Sequence, residues 1–529
     1  MDMVNKENAQ PTSAEEQLEL GSNYENGEGV PQDYEKAVYW FEKSAQQGNA
    51  QAQLSLGLFY ALGRGVPQDD EKAACWFEKS AQQGNDDAQL NIGFSYCLGK
   101  GVQKDYKKAA YWYGESAHQG NALAQYHLGI CYRDGEGIQK DGKKAVYWFE
   151  KSAQQGYDMA QCYLGICYRD GEGASQDYEK AKYWFEKSVE QENPGAQYCL
   201  GGCYKYGEGV PQDDEKAAYW YGKAAQQGNP LSQFSLGGCY AGGEGVPQDD
   251  EKAAYWYTKS AEQGNAWSQC LLGYCYANGE GVPQDYEKAA YWFTQASQQG
   301  DAAAQYALGG CFKRGEGVLQ DDEKAAYWYG KSSRQGHAEA QNALGVCYVN
   351  GKGVPQDKEK GVYWYTQASQ QGNVWARFLL GACYYSGEGV AQDYEKAAQL
   401  FTQASRQGNA EAQFLLGICY SSGEGVAQDY EKSAYWYEQA SQQGNALAQN
   451  SLGLCYRNGE GVPQDYEKGA YWLTQSCQQG DAEAQYNLGL CYERGEGVPQ
   501  NYEKAAYLFT KSSMQGFARA QEKIKDLIG

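Results

Sequence analysis

The sequence predicts an all-α solenoid of fourteen helical hairpins, each 36 residues long, with one further helix at the C-terminal end. Glycines recur every 36 residues, from Gly21 through Gly57 and Gly93 to Gly489, with no insertion or deletion between copies. Within each copy, apolar residues recur at helical spacing, and glycine or proline follows each helical stretch. A fixed period of this length is typical of repeat proteins, in which each hairpin buries its apolar face against its neighbours.

The repeat pattern divides the chain into three parts. Residues 1–12 form a polar N-terminal tail, residues 13–516 contain the fourteen copies, and residues 517–529 begin another copy that stops after one helix. We expect this last helix to cap the final hairpin. Unrelated globular domains are excluded, because near-identical copies in strict register indicate duplication.

The first helix of each copy has an N-cap, an apolar stripe and a glycine at its end, as the second copy illustrates. Asn49 precedes the stripe and is expected to cap the helix. Ala52 and Leu56 lie about one turn apart and share one face. Gly63 and Gly65 follow in a Gly-x-Gly pattern that recurs in all fourteen copies. Because glycine is needed where the backbone angle φ is positive, we predict a helix C-cap and a tight turn.

The second helix of each copy begins after this turn. Asp69 is its predicted N-cap, and Ala73, Trp76 and Phe77 belong to its predicted buried stripe. Gly84 ends the helix. The position equivalent to Trp76 is tryptophan in twelve copies and leucine in the other two. Replacement by leucine indicates a core side chain rather than a contact to a cofactor.

Two recurrent residues conflict with simple helix rules. Gly57 and its counterparts lie inside the first helix, where glycine costs about 1 kcal/mol relative to alanine. We expect close packing there, with another backbone or a tryptophan ring in the space of the missing side chain. Lys36 and its counterparts lie in the first turn of the second helix, where a cation opposes the helix dipole. We expect a carboxylate from the Gly-Glu-Gly turn, or packing of the lysine stem across a tyrosine, to offset this cost.

Charge and hydropathy exclude several classes of function. The 529 residues include 45 basic and 68 acidic side chains, so the net charge is -23. This charge repels nucleic-acid backbones and anionic membrane surfaces, so we expect neither as a partner. No apolar run approaches the ~18 residues of a membrane span, and the first residues lack the apolar segment of a secretory signal. These features predict a cytoplasmic protein without membrane insertion, and the acidic surface predicts a monomer.

The seventeen cysteines predict buried free thiols rather than a disulfide framework. Eleven occupy one column of the first helix, from Cys131 and Cys167 to Cys491. Equivalent positions in adjacent hairpins lie about one helix pair apart, beyond the Cα separation of roughly 4.4–6.8 Å that a disulfide needs. The remaining cysteines have no recurrent mate. We therefore expect small buried thiols beside the core tyrosine, and a reducing compartment.

No catalytic, cofactor-binding or metal-binding residues are predicted. The three histidines, His118, His127 and His337, lie in separate copies and do not cluster as metal ligands do. The Gly-x-Gly turn lacks the third glycine of a dinucleotide-binding motif and the Gly-Lys-Ser/Thr of a P-loop, and it ends a helix instead of following a strand. These observations predict a protein that is not an enzyme and binds no cofactor.

The recurrent residues resemble a known repeat family. Residues 128–148 follow, with minor changes, the pattern L-G-x-C-Y-x-x-G-E-G-V-x-Q-D-x-E-K-A-x-Y-W. This pattern is similar to the Sel-1-like repeat, a relative of the tetratricopeptide repeat, and the resemblance covers residues 13–529. It implies a right-handed α/α superhelix. It also implies a role as an adaptor or scaffold that holds other proteins together.

Positions that vary among the copies indicate where a partner binds. In a hairpin superhelix the first helices line the concave surface, so we expect a protein or peptide to bind along this groove. Aromatic and arginine side chains are favoured anchors at interfaces, and a basic line in an acidic molecule favours an acidic or extended peptide. The varied positions are equivalent to Gln51, Leu54, Ser55, Leu58, Ala61 and Leu62. The predicted partner-binding residues are Tyr126, Tyr198, Phe234, Trp267, Tyr306, Trp375, Phe378, Phe414 and Tyr486, with the basic residues Arg133, Arg169, Lys205, Lys313 and Arg457.

Two alternative functions stay open at this point. The chain could be a secreted or translocated host-interaction factor. A weaker alternative comes from cysteine-rich relatives of the repeat, some of which are associated with β-lactam hydrolysis. Such an enzyme needs paired cysteines and an activated serine, and this chain contains no Ser-x-x-Lys motif.

Overall fold

The computed structural model describes residues 12–528, and their side chains as far as residue 524. Within this range it contains 29 α-helices and no strand. The predicted tail lies outside the described residues apart from Thr12, as does Gly529. None of the described helices is longer than 13 residues, and none has the length and apolar character needed to cross a lipid bilayer.

The helices alternate between first and second helices of the hairpins, and the predicted C-terminal helix is present. The first helices are α1 (Ala14–Asn26), α3 (Ala50–Leu62), α5 (Asp86–Leu98), α7 (Ala122–Asp134), α9 (Asp158–Asp170), α11 (Pro194–Tyr206), α13 (Pro230–Gly242), α15 (Ala266–Asn278), α17 (Ala302–Arg314), α19 (Ala338–Asn350), α21 (Val374–Ser386), α23 (Ala410–Ser422), α25 (Ala446–Asn458) and α27 (Ala482–Arg494). The second helices are α2 (Tyr34–Gln46), α4 (Asp70–Gln82), α6 (Tyr106–His118), α8 (Gly142–Gln154), α10 (Tyr178–Val189), α12 (Asp214–Gln226), α14 (Asp250–Glu262), α16 (Tyr286–Gln298), α18 (Asp322–Arg334), α20 (Lys358–Gln370), α22 (Tyr394–Arg406), α24 (Tyr430–Gln442), α26 (Tyr466–Gln478) and α28 (Tyr502–Met514), and α29 (Ala518–Ile528) follows them.

The hairpins form two compact units. In the unit that ends at Gln263, α1–α14 form seven hairpins, and in the unit that begins at Gly264, α15–α28 form seven more, followed by α29. In each unit the two helices of a hairpin pack against each other, and the second helix of one hairpin packs against the first helix of the next. Each unit is therefore an all-α solenoid, as predicted.

The helix caps agree with the prediction from the sequence. Asn49 Oδ1 accepts a hydrogen bond of 2.9 Å from the Ala52 N–H at the start of α3. Asp69 Oδ1 accepts one of 2.9 Å from the Lys72 N–H at the start of α4. Gly63 ends α3 with φ of 65°, a left-handed conformation that favours glycine. The same caps recur in most hairpins because the same residues recur, and α9, which is preceded by Tyr157, has no side-chain cap hydrogen bond.

In thirteen of the fourteen hairpins, the glycine inside the first helix packs against a ring of the second helix. A Cβ atom on Gly57 would lie 2.6 Å from Cδ1 of Phe77, and one on Gly129 would lie 2.6 Å from Cδ1 of Phe149. The predicted close packing is confirmed, but tryptophan was the wrong partner. The ring belongs to the residue after the tryptophan, which is Phe or Tyr in thirteen of the fourteen copies.

Within each unit, the Gly-x-Gly turn joins a hairpin to the one before it. A Cβ atom on Gly65 would lie 2.5 Å from the carbonyl carbon of Tyr34, which begins α2 of the preceding hairpin. Because any side chain at Gly65 would strike this backbone, glycine serves both the left-handed turn and the stacking. Trp76 is half-buried and packs against the core that these hairpins share, as expected of a core side chain.

A buried glutamine links neighbouring hairpins. Gln53 is only 5% exposed, and its Nε2 donates a hydrogen bond of 3.1 Å to the Ala45 carbonyl in the preceding second helix. Its Oε1 accepts one of 2.7 Å from Gln83 at the end of its own hairpin. In α21 this position is Arg377, whose Nε donates to the Ser369 carbonyl at 3.2 Å and thereby preserves the link. At these junctions a buried polar side chain is therefore satisfied by hydrogen bonds between hairpins.

The recurrent lysine has a different carboxylate from the predicted one. The ammonium of Lys252 lies 2.9 Å from Asp249, the N-cap of the same helix, rather than beside a Gly-Glu-Gly turn. It also lies 5.2 Å from the ring centre of Tyr240, so the predicted contact with tyrosine is present as a cation–π contact. The backbone N–H of Lys252 and then its ammonium hold the pKa of Asp249 below its usual range.

All seventeen cysteines are free, and the eleven of the first-helix column are buried, as predicted. Burial raises the pKa of the Cys131 thiol to about 12 and that of Cys239 to about 11. At neutral pH these groups are therefore protonated thiols that fill space and do not act as nucleophiles.

The contact between glycine and the ring makes a testable prediction within one hairpin. Gly201→Ala places a Cβ atom 2.7 Å from Tyr221, so we expect it to lower stability by about 1–3 kcal/mol. Gly222, in the second helix of the same hairpin, has nothing within 4 Å of the position of a Cβ atom. Gly222→Ala should therefore raise stability by up to about 1 kcal/mol. Thermal unfolding followed by circular dichroism measures both variants, and equal shifts would contradict the packing argument.

Candidate functional site

The exposed face of the first helix is narrower than predicted. In α3, Gln51, Leu58 and Leu62 are exposed and Ser55 is half-buried, whereas Leu54 is only 3% exposed. The Leu54 position points into the core because it packs beside the ring that covers the glycine. The surface open to a partner is therefore the stripe equivalent to residues 51, 55, 58 and 62.

Seven of the predicted aromatic residues occupy the partly covered Leu54 position. Tyr126 is buried, with 8% of its surface exposed, and the other six are half-buried. Each ring lies 5.6–6.4 Å, centre to centre, from the second-helix ring of its own hairpin. The pairs are Tyr126–Phe149, Tyr198–Tyr221, Phe234–Tyr257, Tyr306–Tyr329, Phe378–Phe401, Phe414–Tyr437 and Tyr486–Phe509. These residues form a second layer of core whose edges reach the exposed stripe.

The two predicted tryptophans, unlike these seven aromatic residues, are exposed. Trp267 is 60% exposed and Trp375 is 52% exposed, and both lie at the N-terminal end of the exposed stripe. The ring of Trp375 meets that of Phe378 edge-on at 6.0 Å. Large apolar side chains in solvent are typical of surfaces that bind other proteins.

The predicted basic residues are paired with carboxylates of the same chain. Arg133 lies 2.7 Å from Asp134, and Lys205 lies 2.7 Å from Glu244 of the next hairpin. Arg457 is paired with Glu496 at 2.8 Å. Arg169 and Lys313 are paired in the same way, with Asp170 and Asp322. The expected line of basic residues is therefore compensated within the chain.

Neighbouring first helices touch at positions 37 residues apart, a contact that the 36-residue columns did not reveal. Asn487 Nδ2 donates a hydrogen bond of 3.0 Å to Asn450 Oδ1. At the equivalent positions, an interaction with the Cys199 thiol raises the pKa of Cys162. These contacts join positions that differ by one residue from the 36-residue period, so a comparison of equivalent positions alone misses them.

Sequence reasoning also missed an apolar cleft between α3 and α5. Leu62 and Leu98 are each 60% exposed and line it together with Phe94 and Lys100. A signal was present in the sequence, because the turn after α5 reads G-K-G-V-Q-K-D-Y-K-K instead of the usual acidic G-E-G-V-P-Q-D-D-E-K.

Among residues 12–524, no group of three or more His, Cys, Asp or Glu side chains is close enough together to hold a metal ion.

Comparison with known proteins agrees with the hairpin architecture. The family model of the Sel1 repeat matches fourteen segments, the first at residues 17–49 and the last at residues 482–517. A protective antigen present in uropathogenic Escherichia coli strains, which displays an SLR fold, is 34% identical, with a TM-score of 0.72 over 85% of this chain and 97% of that one. A Sel1 repeat protein from Oxalobacter formigenes is 36% identical, with a TM-score of 0.47 over 56% of this chain and 87% of that one. No curated protein sequence matches this chain.

The surroundings of His127, which lies on the first-helix stripe, predict that the stability of the folded chain depends on pH. Its ring stacks on Tyr113 at 5.3 Å and meets Phe94 edge-on at 4.8 Å, and burial lowers its pKa to about 4. The unfolded chain has an ordinary histidine pKa of about 6.5. The neutral form is therefore favoured by folding, and its contribution to stability is lost as the pH falls from about 6.5 towards 4.

Thermal unfolding at pH 7.5 and pH 5 tests this dependence. His127→Phe keeps the aromatic contacts, so it should lose less stability than the wild type between the two pH values. His118→Asn, at an exposed position of α6, should lose as much as the wild type. An equal loss in all three proteins would show that His127 is not held in the neutral form.

Proposed function

The chain belongs to the Sel1 repeat family, and from this premise we propose that it is a protein-interaction scaffold whose partner binds along the exposed face of the first helices. Helical repeat solenoids commonly bind other proteins, because their stacked hairpins present long continuous surfaces. A fold alone does not determine a function. The side chains on the exposed face therefore supply the evidence for the binding surface.

The observation that carries the proposal is the contrast between packed and exposed positions of the first helix. The glycine and the cap residues recur because every hairpin needs them. The exposed stripe changes from copy to copy: its N-terminal position is Trp267 or Trp375 in two copies, Gly195 in another and Glu411 in a fourth. A surface whose residues vary between copies can recognise one particular partner in one register.

The exposed face of the second helices varies less between copies than the exposed face of the first helices. Twelve copies place a tyrosine directly before the tryptophan or leucine of the second helix. Tyr255 is 54% exposed and Tyr291 is 55% exposed, and each meets its neighbouring tryptophan edge-on at 5.0 Å. Because this row is nearly the same in every copy, it does not distinguish one register from the next.

The predicted aromatic and basic residues also contribute to the proposed binding surface. The half-buried rings, such as Tyr306 and Phe378, support the exposed stripe from beneath and present their edges to it. The ion pairs of Arg133 and Lys205 hold these long side chains in place, so less conformational entropy is lost when a partner binds.

We further propose that the scaffold has no catalytic activity of its own and works in the cytoplasm. The buried thiols have raised pKa values, as for Cys131 and Cys239, which disfavours thiolate chemistry. Seventeen free cysteines also favour a reducing compartment.

The similarity to the E. coli protective antigen favours a second candidate, a factor exposed outside the producing cell. Cell fractionation of the native host separates the two candidates. Recovery of the chain from the medium or the cell surface would support export and oppose the cytoplasmic assignment.

Affinity capture from the native host, followed by mass spectrometry, tests the binding face. The variant Trp267→Ser/Trp375→Ser removes two exposed anchors, so we expect the specific interactors to be lost by tenfold or more, a typical cost of removing interface tryptophans, roughly 1.4 kcal/mol or above. The matched control Tyr255→Ser/Tyr291→Ser removes equally exposed rings from the second helices and should retain them.

Loss of the interactors with the control variant alone would move the site to the second helices. Equal recovery by all three proteins would contradict the proposed use of these two tryptophans. Circular dichroism of each variant confirms that the hairpins remain folded.

A further inference from the structure

The cleft between α3 and α5 is an apolar part of the first-helix surface in the first unit. Leu58, Leu62 and Leu98 are 36%, 60% and 60% exposed, and with Phe94 they line a cleft of about 270 Å³. An apolar side chain of a partner that fills this cleft would remove the three leucines from water at once.

The turns that follow the two helices of this cleft are basic, whereas the turns of the other hairpins are mostly acidic. The turn after α3 carries Arg64, and the segment after α5 carries Lys100, Lys104 and Lys107. All four are exposed. Lys100 lines the cleft itself, and Cβ of Lys104 lies 3.3 Å from the position of a Cβ atom on Gly99, beside Leu98.

These four cations differ from the basic residues further along the chain. Arg133 and Lys205 are held by carboxylates at 2.7 Å. Within the part of the chain that the structure describes, Arg64, Lys100, Lys104 and Lys107 have no carboxylate within 4.0 Å. Asp70 is the one acidic residue among those that line the cleft. Arg64 and Lys104 act at longer range on carboxylates, those of Glu25 and Glu136. The cleft therefore combines an apolar floor with exposed cations nearby that form no close ion pair.

We propose that this cleft binds an acidic segment of a partner protein that carries leucine or phenylalanine side chains. The apolar side chains fill the space between Leu62 and Leu98, and the carboxylates pair with Lys100 and Arg64. This inference rests on the proposed function, and it names the chemistry of the partner and the hairpins that bind it.

A peptide is favoured over other anions because of the charge on the rest of the molecule. A net charge of -23 repels the long polyanionic surface of a nucleic acid or an anionic membrane. A short segment that lies within the cleft meets only the local cations. The exposed leucines also need apolar side chains, which a nucleic-acid backbone does not supply.

Selection of random 12-residue peptides displayed on phage against the full-length chain tests the proposal. We expect the enriched peptides to have a net negative charge and at least two leucine or phenylalanine residues. Fluorescence anisotropy with the best peptide, synthesised with a fluorescein label, then measures its Kd. The Kd should rise several-fold between 50 and 300 mM NaCl, because screening weakens contacts between exposed charges.

Variants locate the binding site. Arg64→Glu/Lys100→Glu and Leu62→Ser/Leu98→Ser should each raise the Kd at least about tenfold, a change of about 1.4 kcal/mol. Lys352→Glu is the matched control, because Lys352 occupies the same turn position as Lys100 but follows Asn350 instead of a leucine. This control should leave the Kd within about twofold. Asp70→Asn should lower the Kd, because it removes the one carboxylate that lines the cleft.

Each other outcome overturns the inference. Enrichment of basic peptides, no enrichment, or an unchanged Kd in both double variants rejects an acidic ligand at this cleft. Peptides that lose binding with Trp267→Ser/Trp375→Ser instead would reject the cleft but keep the proposed function. Stronger binding of vesicles of phosphatidylserine and phosphatidylcholine than of the best peptide, lost with Arg64→Glu/Lys100→Glu, would assign the cations to a membrane.

Discussion

The contact between a glycine in the first helix and a ring in the second helix determines how closely the two helices of each hairpin approach. Atoms of Phe149 lie 2.6 Å from where a Cβ atom of Gly129 would be, so no larger residue fits without moving the helices apart. This spacing decides which side chains of the first helix are covered. It places the Leu54 position in the core and leaves Leu58 and Leu62 in solvent. The exposed surface that a partner can reach is therefore a consequence of one small residue repeated in every hairpin.

Hairpins spaced in this way still need a link to their neighbours, since two short helices bury little apolar surface alone. The second glycine of the turn lets the backbone of one hairpin touch the start of the preceding second helix, as Gly65 touches Tyr34. The buried Gln53 adds hydrogen bonds across the same junction and satisfies a helix-end carbonyl. Such contacts are local, so each hairpin is stabilised by the hairpins beside it. The exposed residues can therefore vary without lowering the stability of the fold.

The candidate site was only partly predictable from the sequence. The variable positions and the two exposed tryptophans, Trp267 and Trp375, were found from recurrence and composition. The burial of Tyr126 was not, because the angle at which a helix meets its neighbours decides which of two adjacent positions is covered. Nor could spacing alone show that Arg133 and Lys205 are neutralised, since Lys205 pairs with Glu244 of the next hairpin. The basic cleft was visible as a change in the turn sequence, but its apolar floor comes from two helices that only stacking brings together.

The repeat, the two helices of each hairpin, their caps and the free thiols could all be predicted from the order of the amino acids. These features depend on local backbone preferences and on a period that is visible in one dimension. Only the tertiary structure decided the partner of the helical glycine, the carboxylate beside Lys252, the contact between Asn450 and Asn487, and the face left open to solvent. Each of these depends on the distance and rotation between helices, and those are settled by side-chain packing across the hairpins rather than by any one segment.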